Sequence, residues 1–361
     1  MLQIPIHQLL HIGVVVRSAR ATAERYARIH GVTHWDVIDW EPSRLGKQST
    51  HGFRAEHSYR VATGSAGLKC GSICFQLIEP RGGWTTFQEF LLTRGEGIHS
   101  ICTSILTQKE LVQLRDWLAS ENIPIGQSAT LDGIVDSVYL DTRRCLGGFY
   151  LQVLVPYSED WASRIAPDEV WELSSLVPPD GPLYNMTSFQ HFGVVVTDLM
   201  ERVQSWSRLF GIKEWNFRDW HSGPGSLEKP TYLGSLVDHA YLTTMATIAD
   251  GLAFEIIQPT FGPSHYKDFL QQSGEGIHHL HATQLDSMLE WEALRHRMAG
   301  INVPIVMSGG ILNEFLDFYY LDMRSALAGY TMEVVTPGRN FAQGRPVIPW
   351  AMTANFSEPV S

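Results

Sequence analysis

Short apolar runs, amphipathic helical segments and β-rich stretches follow one another along the chain. Leu9–Val16 (LLHIGVVV) has the composition of a buried strand, and a helical segment follows it as far as Gly31. In the matching segment of the second half, apolar residues recur at spacings of four, three and four: Leu199, Val203, Trp206 and Phe210. This spacing predicts an amphipathic helix. Stretches rich in β-forming residues, such as Phe149–Val155, come after each helix, so the pattern favours a mixed α+β fold.

A second strand-and-helix pair begins after the sequence GEGIH in each half. In the first half, Thr107 and Glu110 have the spacing of a capping box. The apolar stripe of that helix consists of Leu111, Leu114 and Leu118. The corresponding helix of the second half is predicted to end at Gly300. Its apolar positions include Met288, Trp291 and Met298.

Five segments of the first half recur in the second half in the same order. LLHIGVVV returns as FQHFGVVV, ICFQLIEP as LAFEIIQP, and RGEGIHSIC as SGEGIHHLH. YLDTRRCLGG returns as YLDMRSALAG, and GGFYLQVLVP as AGYTMEVVTP. The offset is nearly constant, for example 180 residues from His11 to His191. A constant offset of this kind indicates that one unit has been duplicated. Each half reads as two βαβββ modules, which gives four modules in the chain.

The repeats set the predicted domain boundaries. We predict an N-terminal domain at residues 1–160 and a C-terminal domain at residues 187–340. Between them, the proline-containing stretch Pro167–Pro182 marks a linker at residues 161–186. Residues 341–361 form a tail with prolines and asparagines that we expect to pack across the surface.

Composition and charge exclude several classes of function. The 361 residues are 44% hydrophobic and carry a formal net charge of −11 with no basic run, which argues against nucleic acid or an anionic membrane as partner. There is no apolar stretch of about 18 residues and no signal-peptide pattern at the N-terminus. The four cysteines form no CxxC pair and are read as reduced thiols: Cys70, Cys74, Cys102 and Cys145. We expect a cytoplasmic monomer or homodimer that acts on a small molecule.

Polar residues interrupt apolar strands at several places in the second half. Glu255 in LAFEIIQP and Glu333 in MEVVTP alternate with apolar neighbours, and a buried carboxylate is costly unless it is paired or binds a metal. His191 begins its strand, and alternation places His279 on one face of another strand and His278 on the opposite face. Two imidazoles and two carboxylates from different strands suit a divalent cation.

These motifs resemble the vicinal oxygen chelate superfamily in a tandem form. The likeness covers about residues 6–156 and 189–337, and the GEGIHH run and the strand that ends in proline are most similar to methylmalonyl-CoA epimerase. The resemblance implies two tandem domains, each of two paired modules forming a cupped sheet. It also implies the metal ligands His191, Glu255, His279 and Glu333, with His278 as the fallback for His279. The implied cofactor is a divalent ion such as Mn, Co, Ni, Zn or Fe.

The first half departs from this pattern. At the matching positions it carries no carboxylate, because amides replace both glutamates and serine replaces the second histidine: His11, Gln76, Ser100 and Gln152. A cation there would lack charge compensation, so we predict one working metal site, in the second half. Because the family sometimes exchanges modules between halves, a site made of His11, Gln76, His279 and Glu333 stays open as an alternative.

The resemblance also implies a reaction. A divalent ion that chelates a carbonyl and a neighbouring oxygen makes the adjacent C–H acidic, and a nearby carboxylate can remove the proton. Asp238 matches the position of an acid or base in the epimerase-like pattern, while Glu255 could act as base in addition to its role as ligand. Glu333 is the remaining carboxylate of the site, and His239 is a weaker candidate.

The first hypothesis is therefore a metal-dependent epimerase or isomerase. Since the sequence shows no cluster of lysine or arginine, we expect a neutral polyhydroxy ketone, as in the branch similar to the 2-epi-5-epi-valiolone epimerases of secondary metabolism. The alternative is an Fe(II) extradiol ring-cleaving dioxygenase, which uses two histidines and one glutamate. A second alternative is a non-catalytic binding protein with the same fold.

Overall fold

The structure is a computed structural model that describes residues 3–249, 251–348 and 350–356. Its strands form two mixed sheets of eleven strands each, one from each half of the chain. Among the described residues, every strand of a sheet pairs within its own half. The predicted duplication and the α+β class are therefore confirmed.

The first half contains eleven strands and five helices. Its strands are β1 (His11–Val15), β2 (His34–Trp40), β3 (Leu45–Thr50), β4 (Phe53–Arg54), β5 (His57–Gly67), β6 (Ser72–Gly83), β7 (Gly97–Ile105), β8 (Ile125–Leu131), β9 (Val135–Leu140), β10 (Tyr150–Pro156) and β11 (Glu169–Glu172). Its helices are α1 (Ala19–His30), α2 (Thr86–Thr93), α3 (Gln108–Ser120), α4 (Arg143–Leu146) and α5 (Trp161–Arg164). A 3₁₀ turn follows at Ser174–Leu176.

The second half repeats this plan. Its strands are β12 (His191–Val195), β13 (Glu214–His221), β14 (Leu227–Tyr232), β15 (Ser235–Leu236), β16 (Ala240–Ala249), β17 (Leu252–Phe261), β18 (Gly276–Gln284), β19 (Ile305–Ile311), β20 (Leu316–Leu321), β21 (Thr331–Pro337) and β22 (Met352–Asn355). Its helices are α6 (Leu199–Phe210), α7 (His265–Ser273) and α8 (Met288–Gly300). A π-helical turn lies at Arg324–Ala328 and a 3₁₀ turn at Phe341–Gln343.

Each sheet is made of two βαβββ modules joined side by side. In the first half, β1, α1, β2, β5 and β6 form one module, and β7, α3, β8, β9 and β10 form the other. The two modules join where β1 runs antiparallel to β7. In the second half, β12 joins β18 in the same way. This central seam brings the first strand of each module next to the other, and it is the part of the sheet that positions the candidate site.

The helices begin and end where the sequence predicts. Thr107 and Glu110 form the expected reciprocal capping box at the start of α3. Helix α6 buries Leu199, Val203 and Trp206 against its sheet, and α8 ends at Gly300. Gly211 closes α6 with φ of 70°, a left-handed conformation that glycine adopts without the steric cost of a Cβ atom.

The predicted linker and tail contain matching edge strands. In the stretch predicted as linker, β11 adds to the edge of the first sheet beside β2. In the predicted tail, β22 adds to the second sheet beside β13. Residues 357–361 of the tail lie outside the described residues. The duplication therefore extends into segments whose sequences show no obvious likeness.

Two further observations bear on the composition argument. All four cysteines carry free thiols, as expected. Within the described part of the chain, none of the helices combines the length and the apolar character that crossing a membrane would require.

The two halves share one continuous apolar core. A hydrogen bond of 2.5 Å joins the hydroxyls of Tyr26 and Tyr330 across the two halves.

Candidate metal centre

Four neighbouring strands at the seam of the second sheet each contribute one polar side chain to the same face. The strands lie in the order β21, β18, β12 and β17. Gly193 of β12 is in register with both Glu255 of β17 and His279 of β18, and His281 is in register with His191 and Glu333. Since in-register residues of paired strands share a face, alternation along each strand aims these groups at one point.

The four predicted ligands converge there. The Nε2 atom of His191 lies 3.2 Å from Glu333 Oε2 and 3.6 Å from Glu255 Oε2. The Nε2 atom of His279 lies 3.5 Å and 3.9 Å from the same two oxygens. One donor atom from each of the four residues lies within 4.8 Å of the others. An ion with bonds of about 2.0–2.2 Å can contact atoms at the measured nitrogen–oxygen distances.

The donor atoms have no other partner, which is the test of whether a metal fits. Among the described residues, the Nε2 atoms of His191 and His279 and the Oε2 atom of Glu333 are buried without a hydrogen bond. Buried polar atoms are almost always paired, and an unpaired carboxylate oxygen is especially costly. Two imidazoles and two carboxylates directed at one point therefore fit a divalent cation in both ligand chemistry and charge.

The charges of the cluster shift its titration. Burial would raise the pKa of the Glu333 carboxyl, but the three imidazoles around it hold that pKa well below its usual range. Burial raises the pKa of Glu255, against the opposing effect of His191. Burial would lower the pKa of His191, but Glu333 and Glu255 outweigh it and the pKa rises. Glu333 is therefore the more firmly anionic of the two carboxylates.

A chain of histidines orients His279. The Nδ1 atom of His279 lies 3.0 Å from His278 Nδ1, and the Nε2 atom of His278 lies 2.7 Å from His265 Nδ1. With Nδ1 of His279 in this contact, its Nε2 atom is left to face Glu333 and Glu255. Both nitrogens of His278 contact other imidazoles, so the geometry favours His279 over the fallback ligand.

The imidazole of His279 fits because residue 193 has no side chain. A Cβ atom at Gly193 would lie 1.8 Å from Cε1 of His279. The ring occupies the space directly over the backbone of β12, so this position requires glycine for close approach and not for its backbone angles.

The cluster opens into a cavity of about 530 Å³, a size typical of small-molecule sites. His191, Glu255 and Glu333 are among its lining residues. Its other lining residues are mostly aromatic or aliphatic, and they include Trp220, Tyr241, Tyr266, Phe315, Phe318 and Tyr320.

A third histidine, His281, also lines the cavity. Its Nδ1 atom lies 3.4 Å from Glu333 Oε2, and burial lowers the pKa of His281 to about 4. His281 has no role in the sequence prediction, although strand alternation places it on the face of His279.

Two arginines line the same cavity. The composition of the chain did not indicate basic residues at the site. Arg218 comes from β13, and Arg345 comes from the segment between β21 and β22. In the described part of the chain, neither guanidinium has a carboxylate within 4.0 Å. The absence of clustered basic residues in the sequence was the reason for expecting a neutral substrate. Comparison of the two repeats could have pointed to Arg218, because Ile38 occupies the corresponding position of β2.

The structure does not bring the other two predicted catalytic residues to the cavity. Asp238 is exposed in the loop before β16. His239 is buried with Nδ1 3.2 Å from the carbonyl of Val237, and it stacks beside Tyr241 at 6.1 Å. The first half repeats this stacked pair as His57 and Tyr59. A pair present in both halves is accounted for by packing, so the catalytic roles of Asp238 and His239 stay predictions without structural support.

The corresponding point of the first half is closed by neutral hydrogen bonds. His11 Nε2 lies 2.8 Å from Gln152 Oε1, and Gln152 donates its amide to Ser137 Oγ at 2.9 Å. His11 belongs to the first sheet and His279 to the second. Because the modules pair within each half, the topology excludes the exchanged site of His11, Gln76, His279 and Glu333.

Comparison with known proteins supports the fold. No protein-family model and no curated protein matches this sequence. Among solved structures, a triple mutant of 4-hydroxymandelate synthase from Streptomyces coelicolor is 13% identical and aligns over 92% of this chain and 93% of that chain, with a TM-score of 0.54. A xylose isomerase-like TIM barrel/4-hydroxyphenylpyruvate dioxygenase fusion protein is 12% identical over 96% of this chain and 51% of that chain, with a TM-score of 0.46. The fold is the tandem vicinal oxygen chelate fold.

Proposed function

We propose that the second half is a metal-dependent epimerase or isomerase that moves a proton next to a carbonyl group. The observation that carries the proposal is Glu255, a fourth donor that joins His191, His279 and Glu333 and faces the cavity. A divalent ion held by these four residues would supply Lewis acidity to a substrate that offers two neighbouring oxygens. The substrate class is therefore a small carbonyl compound with an adjacent oxygen.

The residues of the site have two roles: some would hold a cation, and one would move a proton. His191, His279 and Glu333 would hold the divalent ion, with Glu255 as the fourth ligand. When bound there, the ion supplies Lewis acidity that polarises a chelated carbonyl and makes the adjacent C–H acidic. The aromatic walls of the cavity orient the substrate and exclude water from this C–H.

Glu255 is the carboxylate best placed to take the proton. Its oxygen is farther from the two imidazoles, at 3.6 and 3.9 Å, than that of Glu333 at 3.2 and 3.5 Å. The Glu255 side chain is also the more exposed of the two, at 17% against 10%. A carboxylate held more loosely at the cavity wall can accept a proton at a hydrogen-bond distance from substrate. Delivery of a proton by a second group to the opposite face of the same carbon gives epimerisation. Delivery to the neighbouring carbon, with a proton moving between the two oxygens, gives isomerisation.

Solvent deuterium exchange under anaerobic conditions tests this function. Metal-loaded protein is incubated in heavy water with a panel of small α-hydroxy ketones, and mass spectrometry records deuterium at carbon. We expect incorporation without oxygen consumption, and we expect Glu255→Gln, which copies Gln76 of the first half, to keep the metal and lose exchange. Exchange that persists in this variant would remove Glu255 from its role as base.

An Fe(II) dioxygenase is the second candidate. His191, His279 and Glu333 alone form a set of two histidines and one carboxylate, which non-haem iron oxygenases use with open positions for oxygen. Oxygen consumption with ring cleavage of a catechol, retained in Glu255→Gln, would support this candidate against the isomerase. The non-catalytic binding protein requires no metal, and the unpaired donor atoms weigh against it.

The narrower expectation of a cyclitol ketone substrate stays a prediction. The cavity wall offers two amides, Gln190 and Gln284, beside its aromatic and aliphatic groups, and it also contains two arginines.

A further inference from the structure

Among the described residues, Arg218 in the cavity wall has no carboxylate within 4.0 Å of its guanidinium and no hydrogen-bond partner for its buried Nε atom. The guanidinium carbon lies 5.7 Å from the ring centroid of Trp220 and 4.7 Å from that of Trp350. Since Arg218 is only partly buried and lines the cavity, its Nη groups are the donors that a ligand can reach.

A second arginine faces the same space. Arg345 lines the cavity from a segment that is anchored at both ends. Before it, Phe341 stacks on Phe315 at 5.0 Å, and after it β22 pairs with β13. Arg345 is exposed to solvent but is close enough to repel Arg218. Burial together with Arg345 lowers the pKa of Arg218, partly offset by Glu255. An anion between them would remove this repulsion.

The sheet sets the distance between Arg218 and the metal centre. Arg218 pairs with Thr243 of β16, and Thr243 pairs with Ile257 of β17. Ile257 lies two residues from Glu255, on the same face of the strand. Two interstrand spacings of about 4.8 Å separate β13 from β17, so Arg218 begins about 10 Å across the sheet from Glu255. At this spacing, a group bound by Arg218 can be separate from the oxygens that the cation would chelate.

We infer that the substrate carries a carboxylate several bonds from its two chelating oxygens, and that Arg218, assisted by Arg345, binds this carboxylate. The planar guanidinium has two Nη groups, whose donors match the two oxygens of a carboxylate. The aromatic and aliphatic lining between the two ends suits an apolar or aromatic connecting segment. This inference refines the proposed function, since it names the substrate class of the same cavity.

Equilibrium binding of benzoate and of its neutral counterpart benzamide tests the inference. Fluorescence of Trp220 and Trp350, next to Arg218, and calorimetry report binding to the full-length metal-loaded protein. We expect benzoate to bind about 10- to 100-fold more tightly than benzamide, as a charge-assisted hydrogen-bond pair provides. Arg218→Ile, which copies Ile38 of the first half, should abolish this preference. Arg218→Lys should keep part of it.

The control is Arg295→Gln, which removes an exposed arginine paired with Glu292 on α8 and should keep the full preference. A preference for benzoate that survives in Arg218→Ile would overturn the inference, because the anion would then be bound by the metal. Equal binding of benzoate and benzamide by the wild type would overturn it too. Displacement of benzoate by inorganic phosphate at lower concentration than by acetate would replace carboxylate by phosphate as the ligand.

This binding measurement is independent of turnover. If the deuterium test fails while Arg218 still confers the benzoate preference, the carboxylate site stands and the reaction is wrong. If deuterium exchange occurs while Arg218 confers no preference, the reaction stands and the substrate class is wrong.

Discussion

The two halves of the chain share one fold and differ at its centre. At matching points of the two seams, His11 corresponds to His191, and Ser100 corresponds to His279. Likewise, the amides Gln76 and Gln152 stand where the second half has the carboxylates Glu255 and Glu333. The pairing of the strands is the same in both halves, so these side-chain differences, and not the backbone, change the chemistry at the seam.

The difference shows two ways of satisfying polar groups in the middle of a sheet. In the first half, His11 and Gln152 hydrogen bond to each other, and no charge is buried at that point. In the second half, imidazole nitrogens and a carboxylate oxygen face one another without hydrogen bonds. Two buried carboxylates are costly without a cation to compensate them. The first arrangement is stable by itself, whereas the second is completed by a ligand.

A second difference lies in the wall of the cup. Ile38 packs with the apolar cluster of the first half, and Arg218 at the corresponding position lines the cavity of the second. The stacked pair of histidine and tyrosine, in contrast, is the same in both halves. Features that differ between the repeats point to function, and features that both repeats keep point to the fold.

The largest expected effect comes from converting the second centre to the first. Glu333→Gln copies Gln152 and removes the carboxylate that contacts three imidazoles. We expect metal affinity to fall by more than about 100-fold and turnover to be lost, while the fold is kept. Elemental analysis after dialysis and circular dichroism check both. Full metal content in the variant would refute Glu333 as a ligand.

The glycine at the seam gives a matched pair of variants. Gly193→Ala places a methyl group 1.8 Å from the His279 ring, so we expect a loss of about 3 kcal/mol in stability and weaker metal binding. In Gly13→Ala, the nearest atom is the hydroxyl of Ser100, a small group that can rotate away. For Gly13→Ala we expect a loss of about 1 kcal/mol in stability and an unchanged metal content. Urea denaturation and metal analysis compare the two, and equal effects would contradict the argument.

Acid destabilisation of the first half depends on His11. Burial lowers the pKa of His11 to about 4, against the hydrogen bond with Gln152, while an unfolded histidine has a pKa of about 6.5. Between these values the unfolded chain binds a proton that the folded protein does not, so stability falls as pH drops below 6.5. From pH 7 to pH 5, the wild type should lose about 2 kcal/mol more than His11→Gln. Parallel pH dependence of the two proteins would contradict the lowered pKa.

The smallest effect is expected on metal content when the first centre is removed. His11→Ala breaks the bond to Gln152 and should cost about 1 kcal/mol of stability. Because His11 and the candidate ligands lie in different sheets, metal stoichiometry and activity should match the wild type. Loss of the metal in this variant would revive the exchanged arrangement of modules.

Much of the candidate site was predictable because its signals are local. Glu255 and Glu333 stand out as charged positions in apolar strands, and the matching repeat strengthens each of them. Arg218, in contrast, is in a strand with mixed polar and apolar residues, and its sequence resembles an exposed edge. Asp238 is the opposite case. It matches an acid or base position in the epimerase-like pattern, but it is exposed in the loop before β16.

The sequence by itself determined the duplication, the βαβββ order of each module, and the polar residues within buried strands. These follow from periodicity and self-similarity, which need no knowledge of distant contacts. Only the tertiary structure decided that the modules pair within each half, that four donors meet at one seam, and that two arginines face the same cavity. Strand pairing and register join residues that are far apart in the chain, and no short-range pattern specifies which partners they find.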